Sequence, residues 1–219
     1  MSTSVKICGV NSPEALSAAL HAGADMVGFV FYEPSPRFIG LDTARQFARH
    51  CRDRAEVVAL VVDAADNTLE AILKRVGPDY FQLHGQESPE RVAEIQEKYG
   101  VSVIKAIGVA DAADLARSDA YDAADALLID AKPPKGALLP GGNGVPFDWG
   151  LVRDFSPRKP WLLSGGLTAE NVGEAIRASG ARAVDVSSGV ESAPGVKNPL
   201  RIAAFIAAAR AAFAALEQE

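Results

Sequence analysis

The sequence predicts an α/β fold, a closed (β/α)8 barrel of eight parallel strands. Eight short apolar runs recur along the chain without the alternation of half-exposed strands, as is typical of parallel strands buried on both faces. The first residues of successive runs are 21 to 35 residues apart, which leaves room for a crossover helix in each connection. No glycine-rich dinucleotide fingerprint follows the first run. A closed TIM barrel is therefore favoured over a doubly wound open sheet.

The predicted elements follow one another in a regular order. The eight runs are Val5–Gly9, Met26–Phe31, Val57–Val62, Tyr80–Gly85, Ser102–Ile107, Ala126–Ala131, Trp161–Gly166 and Ala183–Gly189. Three connections contain a hydroxyl residue that could cap a helix, at Ser12-Pro13-Glu14, Ser88-Pro89-Glu90 and Thr168-Ala169-Glu170. An alanine-rich helix is expected from about Leu200 to Leu216. Because nothing interrupts this order, we expect residues 1–219 to form a single catalytic domain.

Composition excludes several classes of function. With 48% hydrophobic and 23% charged residues, the chain is expected to be globular, and we find no apolar run long enough to cross a bilayer. The absence of a secretory signal predicts a cytoplasmic location. Two cysteines cannot build a disulfide framework and three histidines lack zinc-site spacing, so no metal is expected. The net charge of −6 and the scattered basic residues argue against a nucleic-acid partner.

Two connections are longer than the others, with 31 residues between the starts of the second and third strands and 35 between the sixth and seventh. Extra length at the carboxyl ends of barrel strands commonly serves a ligand. In the first, Pro34 and Pro36 stiffen the chain around Arg37, whose guanidinium suits bidentate binding of a carboxylate, although the spacing also fits a solvated loop arginine. The glycine cluster at 141–144 in the second fits either a flexible turn or a lid over substrate.

A phosphate site is predicted where strands seven and eight end. Strand seven ends in Ser164-Gly165-Gly166 and strand eight in Ser187-Ser188-Gly189. Glycines let backbone N–H groups approach a phosphate closely, and barrels of this type often bind the anion on these two loops. Tight turns would explain isolated glycines. A Gly-Gly pair and a Ser-Ser-Gly at both expected positions favour phosphate binding.

Lys6 and Cys8 share one face of the first strand, because side chains alternate along a strand. A buried cysteine is most often an inert apolar residue, so composition alone favours a structural role for Cys8. The ammonium of Lys6 changes this expectation, since it would favour the thiolate over the reference pKa of about 8.5 and make Cys8 a usable base near neutrality. Lys6 could equally lie close to a substrate phosphate, and the spacing leaves both roles open.

Other polar side chains at strand ends are expected to point into the same site. Gln82 and His84 share one face of the fourth strand, and Asp185 and Ser187 share one face of the eighth. Asp130, at the carboxyl end of the sixth strand, occupies a typical catalytic position of this fold, with a helix-capping or salt-bridged carboxylate as the alternative. His84 fits a hydrogen-bonded core histidine as well as a ligand contact. A thiol and a carboxyl on one rim would form an acid–base pair.

Taken together, these segments resemble the phosphoribosylanthranilate isomerase family of tryptophan biosynthesis, over residues 5 to about 205. Departures are small: Asn143 stands where the family often has threonine, and Asn198 where aspartate is common. The matching segments are Lys6-Ile7-Cys8-Gly9, Gly23-Ala24-Asp25, Gly28-Phe29-Val30-Phe31, Ser35-Pro36-Arg37, Gln82-Leu83-His84-Gly85, Leu128-Ile129-Asp130, Gly141-Gly142-Asn143-Gly144, Phe147-Asp148-Trp149, Ser164-Gly165-Gly166-Leu167 and Asp185-Val186-Ser187-Ser188-Gly189-Val190-Glu191.

The resemblance implies an Amadori rearrangement of a small phosphorylated aminosugar, N-(5-phosphoribosyl)anthranilate, by general acid–base catalysis without metal or organic cofactor. Asp130 would be the general acid that opens the furanose ring, and Cys8 the general base that removes the proton from C2. Arg37 would hold the anthranilate carboxylate. The other expected substrate contacts are Lys6, Gln82, His84 and Asp185, and the expected phosphate contacts are Gly142, Gly144, Gly165, Gly166, Ser188 and Gly189.

Other functions remain compatible with parts of the sequence. A different phosphate-handling barrel could act as a lyase on a related ribulose phosphate, or catalyse both aminosugar isomerisations of histidine and tryptophan synthesis, although an aspartate is expected at position 8 of the bifunctional type. A catalytically silent sensor would bind a phosphorylated metabolite without converting it. A thiol hydrolase using Cys8 as nucleophile would need a histidine partner that the sequence does not identify. We expect no membrane partner, and the chain could be a monomer or a homodimer.

Overall fold

The eight predicted strands form one closed parallel barrel in chain order in the computed structural model, which describes residues 3–132 and 148–218. The first strand pairs with both the second and the eighth, so the sheet closes on itself. The predicted fold is confirmed. The strands are β1 (Ser4–Cys8), β2 (Met26–Val30), β3 (Glu56–Val61), β4 (Tyr80–Leu83), β5 (Ser102–Val109), β6 (Ala126–Ala131), β7 (Trp161–Leu163) and β8 (Ala183–Val186).

Helices cover the outside of the barrel. In the described part of the connection from β6 to β7, a 3₁₀ turn at Trp149–Val152 stands where an α-helix was expected. After β8 the chain forms a short antiparallel hairpin, β9 (Glu191–Ala193) and β10 (Val196–Lys197), before its last helix. The α-helices of the described residues are α1 (Pro13–Ala22), α2 (Leu41–Cys51), α3 (Asp66–Val76), α4 (Pro89–Tyr99), α5 (Ala112–Ala116), α6 (Val172–Ser179) and α7 (Pro199–Leu216).

The apolar core has an outer and an inner layer. Residues such as Ile7 and Phe29 pack outward against the helices. The alternate strand positions fill the barrel interior, and the inner cluster contains Val58, Ile104, Ala106, Ala126, Leu128 and Leu162. Cys8 packs with Val30 and Leu60 in a separate inner cluster beyond it, toward the carboxyl ends of the strands. Inward-facing residues are therefore apolar in the middle of the barrel and include a reactive side chain, Cys8, near the carboxyl ends of the strands.

Two of the three predicted helix caps are confirmed. The Ser12 hydroxyl accepts from the N–H of Ala15 at the start of α1, and the Ser88 hydroxyl accepts from the N–H of Arg91 at the start of α4. The predicted cap at Thr168 is wrong, because α6 begins four residues later, at Val172. The Asn171 side chain makes the hydrogen bonds of this turn instead. Its Oδ1 accepts from Thr168 N at 2.7 Å, and its Nδ2 donates to Gly166 O at 3.0 Å.

Several strands are shorter than predicted. β7 ends at Leu163 rather than at residue 166, because Gly165 and Gly166 adopt positive φ angles of 89° and 64° that turn the chain out of the sheet. β4 ends at Leu83 and β8 at Val186, so the last residues of these predicted runs are loop rather than strand. The shortening leaves the polar residues of these strand ends on loops at the rim.

A repeated carboxylate contact fixes the other end of the barrel. The residue before each of three even-numbered strands is an aspartate whose Oδ2 accepts the N–H of a residue at the start of the preceding strand. The contacts are Asp25 with Val5 at 2.6 Å, Asp79 with Val57 at 2.7 Å, and Asp125 with Val103 at 2.7 Å. Each contact joins two neighbouring strands that are connected by a helix. It also gives a buried backbone N–H group an acceptor.

The last helix corrects one expectation from the sequence. By length and composition alone α7 could cross a membrane, with a mean hydropathy of 1.5, whereas no such segment was expected. Its apolar residues have another use here, because Ile202, Phe205 and Ile206 are buried in the outer core layer between the helices and the strands. Core helices commonly satisfy the same length and composition criterion.

Removing the Asp125 carboxylate should destabilise the barrel measurably. Asp125→Ala leaves the N–H of the fully buried Val103 without its acceptor, and we expect the free energy of unfolding in urea to fall by about 1–3 kcal/mol. Asp125→Asn is the matched control, because its amide oxygen can still accept from Val103. Equal losses in both variants would show that the charge, and not the hydrogen bond, accounts for the effect.

Candidate active site

Cys8 and Asp130 lie at one rim of the barrel. They occupy the carboxyl ends of β1 and β6, and parallel strands in a closed barrel all end at the same mouth. β7 and β8 lie between these two strands on the shorter path around the sheet. Both side chains are nearly buried, with 4% and 6% of their residue surface exposed. The two predicted reactive groups therefore face a common interior from different sides of the barrel.

A buried ion pair lies directly beneath Cys8. Lys6 and Asp185 are register partners on β1 and β8, and their side chains meet with Nζ 2.7 Å from Oδ1. The Ser164 hydroxyl donates to the second carboxylate oxygen of Asp185 at 3.2 Å. Burial alone would lower the pKa of Lys6, but Asp185 and Cys8 outweigh burial and hold that pKa above its ordinary value. Lys6 is thus a charged ammonium with a dedicated counterion.

The expectation that Lys6 would bring the pKa of Cys8 below its ordinary value is wrong. Burial raises the pKa of the Cys8 thiol, and this effect exceeds the opposing effect of the Lys6 ammonium. Asp185, which neutralises Lys6, raises the same pKa further. The local sequence could not show this, because the burial of Cys8 depends on closure of the whole barrel.

On the opposite side of the site, a hydrogen bond between Gln82 and His84 is followed by a close contact between His84 and Asp130. Gln82 Nε2 lies 2.8 Å from His84 Nδ1, and His84 Nε2 lies 3.4 Å from Asp130 Oδ2. With the amide nitrogen as donor, Nδ1 accepts and the ring proton is on Nε2, toward Asp130. The other oxygen of Asp130 accepts from the N–H of Ala131 at 2.9 Å. The structure therefore brings together three residues that the sequence placed on two separate strands.

Glycines let the loop after β7 approach the end of β6, and the loop after β8 approach the loop after β7. A methyl group built at position 165 would lie 2.7 Å from the Ala131 nitrogen, and one at position 189 would lie 1.8 Å from the Leu167 carbonyl oxygen. Gly166 and Ser188 lie in the same two loops. This packing accounts for Gly165 and Gly189 in structural terms and leaves their phosphate role a prediction. Gly142 and Gly144, also expected to bind phosphate, lie outside the described residues.

Arg37 reaches the rim and binds a carboxylate that the sequence analysis did not single out. Its Nε and Nη2 donate to the two oxygens of Glu191 at 2.7 and 3.0 Å, and both residues are buried. Its aliphatic part lies on Gly9, where a methyl group would come within 2.8 Å of Cδ. Lys197 is the second missed residue, with Nζ 2.8 Å from Glu191 Oε1. The sequence held no local signal for Lys197, because it is the β9–β10 hairpin of the structure that pairs it with Glu191.

Burial affects the two missed residues differently. Burial works against the charge of Glu191, but hydrogen bonds from Arg37 and Lys197 outweigh it and hold the pKa of Glu191 below its ordinary value. For Lys197, burial is the larger effect and lowers its pKa, although Glu191 opposes the change. The described residues contain no group of three or more His, Cys, Asp or Glu side chains arranged to hold a metal ion.

Comparison with known proteins gives a consistent result. The sequence model of the family described as N-(5'phosphoribosyl)anthranilate (PRA) isomerase matches residues 5–208. The N-(5'-phosphoribosyl)anthranilate isomerase of Cereibacter sphaeroides is 56% identical over 207 residues, which cover 94% of this chain and 98% of that protein. The isomerase of the same name from Rhodopseudomonas palustris strain BisB18 is 56% identical over 208 residues, or 94% of this chain and 95% of that one.

Solved structures agree with the sequence relatives. Phosphoribosyl anthranilate isomerase from Thermotoga maritima superposes with a TM-score of 0.86 at 36% identity, over 95% of this chain and 99% of that one. A phosphoribosyl anthranilate isomerase bound to reduced 1-(o-carboxyphenylamino)-1-deoxyribulose 5-phosphate gives 0.82 at 35% identity, with the same coverage. The chain therefore belongs to the N-(5'-phosphoribosyl)anthranilate isomerase family.

Proposed function

We infer that this chain catalyses the Amadori rearrangement of N-(5-phosphoribosyl)anthranilate to 1-(2-carboxyphenylamino)-1-deoxyribulose 5-phosphate in tryptophan biosynthesis, with Asp130 as general acid and Cys8 as general base. The observation that supports these two roles is their position at the carboxyl ends of β6 and β1, on inward-facing positions at one barrel mouth. An aldose–ketose isomerisation needs one proton donor and one proton acceptor placed around the sugar.

The reaction follows from these two groups. Asp130 gives its proton to the furanose ring oxygen as the C1–O bond breaks, and the anilinic nitrogen supplies the electron pair that forms a C1=N iminium. The Cys8 thiolate then takes the proton from C2, and the C–H electrons form a C1=C2 bond that neutralises the nitrogen. The resulting enolamine tautomerises to the ketone. His84 would orient Asp130 through its Nε2, and Gln82 would orient His84.

The anionic ends of the substrate have separate anchors in this proposal. The anthranilate carboxylate would bind near Arg37, whose guanidinium is already held by Glu191. The phosphate would bind backbone N–H groups of the loops after β7 and β8, at Gly165, Gly166, Ser188 and Gly189. Lys6 and Asp185 would contact the sugar from the interior side. Two anchored ends would hold the sugar between the acid and the base.

The domain organisation, location and oligomeric state of the enzyme are also part of this proposal. Residues 1–219 would act as one catalytic domain in the cytoplasm, as a monomer or a homodimer. A related structure of Thermotoga maritima origin is described as mutually generated monomers of a dimeric phosphoribosylanthranilate isomerase, which makes both states reasonable for this chain.

Replacement of either reactive group should remove most turnover while leaving binding intact. Cys8→Ala and Asp130→Asn should each lower kcat by roughly 10²–10⁴-fold, the usual range for a lost acid or base. Turnover is measured as the loss of anthranilate fluorescence from freshly made substrate. Binding is measured as the affinity of each variant for a product analogue. Cys51→Ala is the matched control, since this second cysteine is buried in α2 and away from the rim. Near-normal turnover in either variant would remove that residue from the mechanism.

Loss of Arg37 should affect substrate binding more than chemistry. In Arg37→Ala the carboxylate anchor is gone, so we expect KM to rise by about 10-fold or more, in line with a lost charged hydrogen bond, with a smaller change in kcat. Steady-state kinetics with a substrate analogue that lacks the benzoate carboxylate provides the comparison. The variant and the unaltered enzyme should handle that analogue equally, and an unchanged KM for the natural substrate would assign Arg37 to loop structure alone.

A further inference from the structure

A further buried ion pair lies behind the β4 side of the active site, on the outer face of the sheet. Lys105 belongs to β5, where its neighbours Ile104 and Ala106 are part of the inner cluster, so Lys105 points outward. Its Nζ lies 2.7 Å from Glu87 Oε2, and only 1% of the Lys105 surface is exposed. The ammonium is therefore enclosed between the sheet and its covering layer, and not in the ligand space.

The Lys105 ammonium holds both residues that flank His84. Besides Glu87, its Nζ donates to the carbonyl oxygens of Leu83 at 3.2 Å and Gly85 at 2.9 Å. An ammonium has three donors, and these three acceptors use them. The ammonium thereby fixes the carbonyl groups of the residues immediately before and after His84.

The Glu87 carboxylate completes the hold on the same turn. Its two oxygens accept from the N–H of Gly85 at 3.1 and 3.0 Å. The N–H of His84 itself donates to the carbonyl oxygen of Val61 at 2.9 Å. The peptide groups on the two sides of His84 are thus held, one by Lys105 and the other by Glu87. With both peptide groups fixed, the φ and ψ angles of His84 have little freedom.

The loop after β3 is built around the same carboxylate. Glu87 Oε1 also accepts from the N–H of Asp63 at 2.9 Å, and Asp63 Oδ1 accepts from the N–H of Gln86 at 2.7 Å. Asp63 has a φ angle of 46°, in the left-handed region that residues other than glycine rarely adopt. A methyl group at Gly85 would lie 2.4 Å from Asp63 Oδ1. Backbone geometry of this kind persists where the surrounding contacts determine it.

The orientation of the His84 ring depends on this backbone. Nδ1 of the ring lies 2.8 Å from Gln82 Nε2, and Nε2 lies 3.4 Å from Asp130 Oδ2. The second distance is longer than an ordinary hydrogen bond, so a small rotation of the His84 backbone decides whether the ring meets Asp130. The Lys105–Glu87 pair controls that rotation from the other face of the sheet.

We propose that Lys105 is a positioning residue of this active site, whose ammonium fixes the backbone of His84 and thereby directs the imidazole toward Asp130. The inference rests on the proposed role of Asp130 as general acid. Because Lys105 is buried on the outer face, it acts through His84 and not on the substrate. A displacement of about 1 Å in a catalytic constellation can cost about 100-fold in rate, so a residue behind the site can matter to turnover.

Two variants separate positioning from stability. Lys105→Met removes the ammonium, and kcat should fall by about 10- to 100-fold with KM changed by less than about 3-fold, because the proposed anchors of the substrate lie in other loops. Lys105→Met combined with Glu87→Gln also removes the carboxylate that the single change leaves without its cation, so the urea midpoint should recover. In the double variant kcat should stay low, because the carbonyl groups of Leu83 and Gly85 still lack their donor. Recovery of kcat together with stability would overturn the proposal.

Asp125→Ala is the matched control for a loss of stability. It removes a hydrogen bond to Val103 of the same strand, β5, at the other end of the barrel. The urea midpoint should fall while kcat stays within about 2-fold of the unaltered protein, as expected for a change away from the site. A fall in kcat as large as that in Lys105→Met would overturn the proposal, because destabilisation alone would then account for both losses.

Nitrogen NMR of the histidine rings tests the position of His84 without using the reaction. At about pH 8 an ordinary histidine is neutral, and the spectrum shows which ring nitrogen carries the proton. In the unaltered protein His84 should be protonated on Nε2. In both variants that contain Lys105→Met, the shifts of its two ring nitrogens should approach each other as the ring leaves Gln82. His21 and His50 are internal references, since both are exposed and contact a carbonyl oxygen of their own helix.

The ring signals distinguish a failure of this inference from a failure of the proposed function. Unchanged His84 signals in Lys105→Met would overturn the proposal, whatever the turnover. If Asp130→Asn kept its turnover, the general-acid role would fail, and the ring signals would still decide whether Lys105 positions His84. Changed ring signals with an unchanged kcat would reject the link between this positioning and catalysis.

Discussion

The Lys6–Asp185 ion pair lies across the seam where β1 and β8 close the barrel, and the active-site rim is built on it. Both residues are almost completely buried, so either charge alone would be strongly destabilising, whereas the pair joins the first and last strands by a charged hydrogen bond. Cys8 lies two residues beyond Lys6 on the same face of β1. The thiol therefore lies beside the seam where β1 and β8 pair, and the Ser164 hydroxyl of the adjoining loop donates to the Asp185 carboxylate.

Small residues make the polar rim possible. Gly28 gives space to the Cys8 sulfur, and Gly9 gives space to the Arg37 side chain, at distances where a methyl group would collide or crowd. Gly165 does the same for the backbone beside Asp130. Gly28 and Gly9 thus let a reactive or charged side chain of a neighbouring segment lie close to the barrel wall. Packing thus directs these side chains toward the ligand space and away from the apolar interior below.

The sequence predicted what depends on short-range pattern. The eight strands were found because buried parallel strands are continuously apolar, and the caps at Ser12 and Ser88 because their hydrogen bonds are local. The predicted cap at Thr168 was wrong because the Asn171 side chain accepts from the backbone N–H of Thr168 in that turn. The pKa direction of Cys8 was wrong because burial in the closed barrel is a larger effect than the neighbouring lysine. Glu191 and Lys197 were missed because only the hairpin brings them together. Long-range charge pairing is the part of the site that strand periodicity does not encode.

The two proposed reactive groups have different charged neighbours. Burial raises the pKa of Cys8, and the ammonium groups of Lys6 and Lys197 oppose this effect while Asp185 adds to it. Asp130 faces a different environment, because among residues 3–132 and 148–218 its ionisable partner is His84 rather than a lysine or arginine. The groups that we propose as acid and base therefore differ in their neighbours because of the strand order, since β1 and β8 supply the ion pair beside Cys8 and the loop after β4 supplies the histidine beside Asp130.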